Sequence, residues 1–199
     1  MPFLVPTSEP PKEPKFYIFR SAAPRLGVSF MVQKMAQSFL SQNKKVLIFD
    51  ALLGLKNFPA TNKNAKKIPL VLQGIAPLTE IITQDKGLDV ITGIANQTLT
   101  ALDTPQQHYI KMCLRQLSKN YDVVLIDMPF HVTDPIWQDL GENLWVVSPE
   151  KRIILNTLSA CQTWSQPHLL LNTQNKDFSL NQLYPFIKML KPDCQITTF

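Results

Sequence analysis

Glycine is scarce in this sequence, at six residues in 199, and cysteine and histidine are scarcer still, at three each. Each scarcity excludes something. Loops that cradle phosphate lean on glycine, because several backbone N–H groups must converge on one anion. The turn Ser21 to Phe30, read SAAPRLGVSF, has one glycine and no lysine. Cys113, Cys161 and Cys194 are odd in number and show neither CxxC nor Cys/His spacing. They read as reduced thiols, with no disulfide framework and no metal site. His108, His131 and His168 are far apart and lack the partners that metal binding or acid–base chemistry needs. Ser21 and Ser159 have no nucleophile-elbow context. No apolar run approaches the roughly 20 residues that span a bilayer. The N-terminus has no basic-then-apolar signal pattern, so a soluble, cytoplasmic protein is expected.

What is present is a chain with 45% hydrophobic residues, enough for one sizeable core and therefore one domain. The net charge is +5, with lysines in small groups at Lys44-Lys45, Lys63 and Lys66-Lys67. That pattern fits a solvated surface, with an acidic partner or nucleic acid as the alternative. Prolines at 2, 6, 10, 11 and 14 prevent residues 1–14 from pairing as a central strand or continuing a helix. They predict an extended, flexible tail.

From Phe16 onward, strand-like and helix-like segments alternate. FYIF (16–19) is a short apolar run, and 28–41 sets Val28, Met31, Val32, Met35 and Phe39 on one helical stripe. VLIFD (46–50), LDVITG (88–93), YDVVLID (121–127), NLWVVSP (143–149) and HLLLN (168–172) read as strands, the last of these being the final clear one. PLTEIITQ (77–84) suggests a short helix. Thr104-Pro105-Gln106-Gln107 has the form of a capping box opening a helix that buries Ile110, Cys113, Leu114 and Leu117. A further helix near 150–165 uses Ile154, Leu158 and Cys161. Trp137 and Trp145 read as core or interface anchors. The expected fold is α/β: a single-domain, doubly wound, mostly parallel sheet with helices on both faces. It would occupy 15–175, with 176–199 as a C-terminal extension.

In such sheets ligands sit at the carboxyl ends of the strands. Asp50, Asp127 and Asn172 fall at three of those ends and, with the 20–30 turn, would ring one edge. The wording around them is more specific. KKVLIFDALLGLKN (44–57) resembles the "GKKVLLIDADLGLxN" segment of the MinD/FlhG branch of ParA-type ATPases. YDVVLIDMP (121–129) resembles that family's Walker B strand, "YDYVLIDTP", and 70–93 is similar to its "LxDVLxGxxxLxxxIxxxxGLxVLPxG" stretch. VVSPEKRIILNT (146–157) is similar to "VVTxPExxSLxDA", so the resemblance covers about 16–172 in order.

The resemblance implies a P-loop NTPase-like fold and lays the family's "GKGGVGKTT" over Ala22 to Phe30. The interval from Val28 to Asp50 supports this register, because the P-loop lysine of that branch stands equally far before its acid. Asn172 stands where an adenine-contacting asparagine commonly ends a strand. Gly27, Ser29, Asp50 and Asp127 match the pattern, and the last three could support Mg²⁺. The departures are chemical. Val28 replaces the phosphate-binding lysine, Ala23 the lysine that reaches across the family's dimer, and Leu52 the acid that orients the attacking water. Pro24 removes an N–H, and Arg25 stands where glycine permits an otherwise costly backbone. Arg20 and Arg25 either supply phosphate contacts in place of the lysine or face solvent or a partner.

Taken together, the resemblance and its departures imply a non-catalytic pseudo-ATPase. It would serve as a protein-interaction platform for a bacterial surface machine (pilus, flagellum or secretion system) or a division site. The "DALLGLKN" wording (50–57) leans toward the MinD and flagellar-number branch, and the 126–137 stretch is not unlike the CpaE/TadZ branch. Expected partners are proteins: an active ParA/MinD-like relative, an organelle component, or a second copy in a homodimer. Recruitment to the inner membrane face or cell pole would follow. No cofactor is expected. One alternative is an atypical ATPase with a rebuilt phosphate loop that binds ATP and Mg²⁺. Another is non-specific DNA binding, for which no reading motif is visible. The segment 178–199 is apolar enough to resemble the membrane-binding helix of MinD-like proteins, but Pro185 interrupts it. Packing on the domain or a partner is the expectation there, with membrane contact through 178–190 as the alternative.

Overall fold

The computed structural model describes residues 13–51, 70–71, 73–92, 102–128, 130, 135–162, 167–173 and 180–198. The expected tail up to residue 12, Leu52, the lysines at 63, 66 and 67, and His131 lie outside them. In chain order the elements are β1 (Lys15–Arg20), α1 (Val28–Ser41), β2 (Val46–Asp50), a 3-10 turn (Leu78–Ile81), β3 (Ile82–Asp85) and β4 (Leu88–Thr92). Then follow α2 (Thr104–Ser118), β5 (Val123–Asp127), a second 3-10 turn (Pro135–Leu140) and β6 (Glu142–Val147). The chain continues through α3 (Lys151–Ala160), β7 (His168–Leu171), α4 (Leu180–Leu190) and β8 (Gln195–Thr198).

The strands form one eight-stranded sheet in the order β3-β4-β2-β5-β1-β6-β7-β8, parallel except for the β3–β4 pair. β2 and β5 are buried at every position, which is why VLIFD and VVLID are continuous apolar runs and not alternating ones. Alternation along the strands sorts their side chains onto two faces. Phe19, Ile48 and Leu125 pack with Met31, Val32 and Ala36 of α1 on one face. Ile18, Leu47 and Ile126 pack with Ile110 and Leu114 of α2 on the other. Trp145 and Leu169 continue that second face, joined by Ile154 of α3 and by Leu183 and Ile187 of α4. The sheet is therefore doubly wound, with helices on both faces.

Several boundaries differ from the sequence reading. The expected helix at 77–84 is a single 3-10 turn followed by a strand. Leu78 and Ile81 are buried, and the chain then pairs antiparallel with β4 through a turn at Lys86 and Gly87, both at positive φ. The helical cap is one residue earlier than expected. Asp103 Oδ1 accepts from Gln106 N at 2.8 Å, and Gln106 Oε1 accepts from Asp103 N at 3.2 Å. Thr104 and Pro105 thus occupy the first two helical positions, where proline's missing N–H costs nothing. Cys113 is half-buried where full burial was expected. HLLLN is not the final strand, because β8 pairs in parallel with β7 beyond it. Pro185 does not end α4, since Leu183 and Ile187 on either side of it are anchored in the core. That anchoring also turns the helix's apolar stripe inward. No helix among the described residues is long and apolar enough to cross a membrane.

The second 3-10 turn is clamped by α2. Trp137 is fully buried, stacks on Phe49 with ring centroids 6.4 Å apart and donates Nε1–H to Gln107 Oε1 at 3.0 Å. Lys111 Nζ donates to the Ile136 carbonyl at 2.6 Å and pairs with Asp139, holding that carboxyl below its usual range. Replacing Trp137 with alanine removes the largest fully buried side chain of this layer and orphans Gln107. A loss of about 3–5 kcal/mol is expected in urea unfolding, whereas a loss under about 1 kcal/mol would mean the turn does not depend on this anchor.

Candidate functional site

The site is built at the carboxyl edge, where β1, β2, β5 and β7 end. β5 lies between β2 and β1, and its register places Asp127 opposite Asp50 on one side and Phe19 on the other. Asp50 and Asp127 share the parity of Ile48 and Leu125, so both project toward α1. Two carboxylates thus stand side by side beneath the amino end of that helix, at 3% and 0% exposure.

Neither oxygen of Asp127 makes a hydrogen bond of ordinary geometry among the described residues. Burial pushes its carboxyl up to about 6, and the nearby Ser29 hydroxyl pulls in the opposite direction. Ser29 therefore lies close enough to feel the carboxylate without bonding to it in regular geometry.

The loop from Ser21 to Gly27 closes this edge. Ser21 Oγ donates to the Ala23 carbonyl at 2.8 Å, tightening the start of the turn. Ala22, Ala23 and Leu26 pack on the apolar cluster around Trp145 and Leu169, leaving Pro24 and Arg25 exposed. Arg25 has φ 61°, a left-handed backbone costing a residue with a Cβ roughly 1–2 kcal/mol. The sequence departure at Arg25 therefore falls on a backbone that favours glycine. Gly27 has φ 85° and caps α1, its carbonyl accepting from Met31 N at 3.0 Å. Asn172 straps the loop from the end of β7, donating Nδ2–H to the Leu26 carbonyl at 3.1 Å. A Cβ on Gly27 would stand 2.6 Å from that same nitrogen.

A half-open cleft of about 550 Å³ lies over this loop. Its walls are chiefly apolar, from Leu26, Val28, Phe30, Met128 and Phe130, with Ser29 on the floor and Arg25 contributing a charge. Met128, Phe130 and Gln33 carried no signal in the sequence; they become cleft residues only because β5 and α1 converge there. Val28 lies against the core at 8% exposure and offers the cleft no charge.

Of the candidate residues, the structure brings Gly27, Ser29, Asp50, Asp127 and Asn172 to one edge. Arg20 is elsewhere. It is 2% exposed on the sheet face opposite Asp127, and its Nε–H donates to Asn143 Oδ1 at 3.0 Å. Strand alternation points it to the face that carries Trp145, away from Asp127. Chemically, two carboxylates and a hydroxyl suit a hard cation with oxygen ligands, and Ser29, Asp50 and Asp127 are the residues that would hold one. The loop suits an anion poorly, with Pro24 lacking an N–H and Val28 lacking a charge. No cluster of three or more His, Cys, Asp or Glu side chains that could hold a metal occurs among the described residues. His108, on an exposed turn of α2, is remote from the edge. His168 bridges Glu142 and Thr197 at the other end of the strands.

Two predictions follow from this geometry. Gly27→Ala is expected to lower stability by about 1–2 kcal/mol from backbone strain alone, with a further loss from the contact to Asn172. In an Asn172→Ala background the further loss should vanish, so a double-mutant cycle in urea will be non-additive; strict additivity would contradict the strap. For Asp127 the folded pKa, about 6, lies above the unfolded value near 3.9. The folded state then binds the extra proton, and stability falls as pH rises from about 4 through 6, by roughly 3 kcal/mol in total. Asp127→Asn should be more stable than the parent at pH 7.5 and remove this difference below pH 4; equal stability at both pH values would contradict it.

No protein-family model matches the chain, and no curated protein sequence matches it. Solved structures do. A plasmid partition protein from Borrelia burgdorferi B31 bound to AMPPNP superposes with a TM-score of 0.68 at 20% identity, covering 94% of this chain and 87% of that one. The MinC:MinD cell division protein complex of Aquifex aeolicus gives 0.65 at 18% identity, covering 92% and 79%. The kinase domain of the Escherichia coli tyrosine kinase ETK gives 0.62 at 20% identity, covering 84% and 71%. The chain therefore has the P-loop NTPase-like α/β fold shared by the plasmid partition and MinD-type cell division ATPases.

Proposed function

We propose that this chain is a non-catalytic protein of ParA/MinD type that acts as an interaction platform. It would serve the positioning or assembly of a bacterial surface machine or division site. The observation that carries the reading is the inward-folded loop. Ala22, Ala23 and Leu26 are packed on the apolar cluster, and Val28, at the place of the phosphate-binding lysine, is buried against the core. Phosphoryl transfer depends on positioning and charge neutralisation around the phosphates. The described residues of the loop supply one cation, Arg25, and it is exposed on a left-handed backbone. The structural likeness to partition and cell-division ATPases supports the setting, and the MinC:MinD neighbour is itself a complex between two proteins.

A second reading keeps nucleotide binding, because Ser29, Asp50 and Asp127 retain the oxygen ligands for a hard cation. The two readings separate cleanly. The platform reading predicts no phosphate release from ATP by the pure protein, and no thermal shift with ATP, ADP or GTP plus Mg²⁺. A ligand at 100 times its Kd would add about 2.7 kcal/mol to stability. Sustained turnover abolished by Asp127→Ala would overturn it.

A further inference from the structure

Resting on the platform reading, we propose that the seam between α3 and α4 is a docking surface for an acidic amphipathic helix of a partner protein. α3 follows β6 and α4 follows β7, two neighbouring parallel strands, and Leu158, Leu183 and Ile187 anchor both helices in one apolar cluster. Two contacts join them on the outside. Lys151 Nζ lies 5.9 Å from the centre of the Phe186 ring, and Lys191 Nζ donates to the Gln162 carbonyl at 3.4 Å. Residues four apart share a helix face, so Leu155 follows Lys151 along this seam and Leu190 follows Phe186. Both leucines stand in the open, at 46% and 44% exposure. Met189, three residues after Phe186, is 72% exposed and is a flexible side chain suited to repacking against a partner. Apolar side chains grouped in this way, with charge at the rim, mark sites of interaction.

The charge on the two helices selects the occupant. α3 and α4 carry Lys151, Arg152 and Lys188 and no acid, and Lys191 follows directly after α4. Glu150 and Asp193 stand just outside the helices, and Glu150 accepts from Ser148 Oγ at 3.1 Å. The cations bracket the seam, two at the amino end of α3 and two at the carboxyl end of α4. Lys188 lies 5.7 Å from the Tyr184 ring centre and donates to the Pro192 carbonyl at 2.9 Å. An ammonium group has three donors, so such contacts leave room for carboxylates. A second copy of this chain would set cation against cation here, which is unfavourable. A nucleic-acid backbone would leave the leucines without a partner. The apolar line follows the trough between two helices, the shape that receives a third helix, and not the flat plane of a bilayer. Helix-in-groove recognition reads apolar anchors at i, i+3 or i+4 and i+7. α3 advances about 15 Å over its 10 residues, roughly three turns, which matches that spacing with acids on the flanks.

The probe is a fluorescein-labelled peptide of about five helical turns built from leucine, alanine and glutamate, with leucine at the anchor positions and glutamate on both flanks. In the control peptide lysine replaces every glutamate. Both are titrated against the whole 199-residue chain by fluorescence anisotropy. Saturable binding of the glutamate peptide is expected, at least about tenfold tighter than that of the lysine peptide. The double variant Lys151→Glu with Arg152→Glu should weaken it about tenfold, as should Leu155→Glu. All three positions are exposed, so the fold tolerates the changes. Met112→Glu, on α2 and also exposed, should leave binding unchanged. No saturable binding, equal binding of the two peptides, or unaltered affinity in both seam variants would overturn the proposal. So would sedimentation of the chain with phosphatidylglycerol vesicles that Leu155→Glu and Leu190→Glu abolish, without peptide binding, since an anionic membrane is then the occupant. Phosphate release from ATP is followed in the same samples. Sustained release overturns the platform reading, whereas its absence together with a failed titration overturns the seam alone.

Discussion

A carboxylate at the end of the central strand, fully buried and without a regular hydrogen bond, is the constraint around which this edge is arranged. Asp127 terminates β5, and β5 is flanked by β1 and β2, so sheet register alone carries it next to Asp50 and beneath α1. In a low-dielectric interior such a group demands a partner or a proton. The helix above presents Ser29, and its amino end is fixed by the left-handed Gly27 and the Asn172 strap. Loop, helix and strand ends form a single mechanical unit. Changing any one of them alters the surroundings of the acid.

Folds host many functions, and function has to be argued from the site. Here the fold is the one shared with the plasmid partition and MinD structures, and α1 starts from a left-handed Gly27 after β1. The loop between β1 and α1 presents Ala22, Ala23, Pro24, Leu26 and Gly27, with Arg25 as its one cation among the described residues. The loop is held by packing on the cluster around Trp145, by the Asn172 amide on the Leu26 carbonyl and by the Ser21 hydroxyl on the Ala23 carbonyl.

Much of this architecture was legible in the sequence, for physical reasons that can be named. α1 and β2 begin and end where the sequence indicated, because the Val28–Met31–Val32 stripe and the VLIFD run each carry a clear period. The strand-end acids were legible because polar residues close apolar runs. What the sequence concealed was decided by tertiary context. β8 reads as polar because an edge strand is half solvated, and its Gln195, Thr197 and Thr198 are exposed. The 3-10 turn at Leu78 and the strand after it share one apolar pattern, which periodicity cannot divide. Arg20 looked like a loop residue, but strand alternation points it to the face opposite Asp127, against Asn143. The cleft residues Met128 and Phe130 had no pattern at all, since they meet Val28 only through the fold.

The platform proposal holds that this edge does not bind a triphosphate. A crystal structure grown with millimolar AMPPNP and Mg²⁺ tests it most directly. The account predicts no nucleotide over Gly27 to Ser29, and a loop still packed on the Trp145 cluster through Ala22, Ala23 and Leu26. A triphosphate seated on those backbone amides, with Mg²⁺ bound by Ser29 and Asp127, would contradict it.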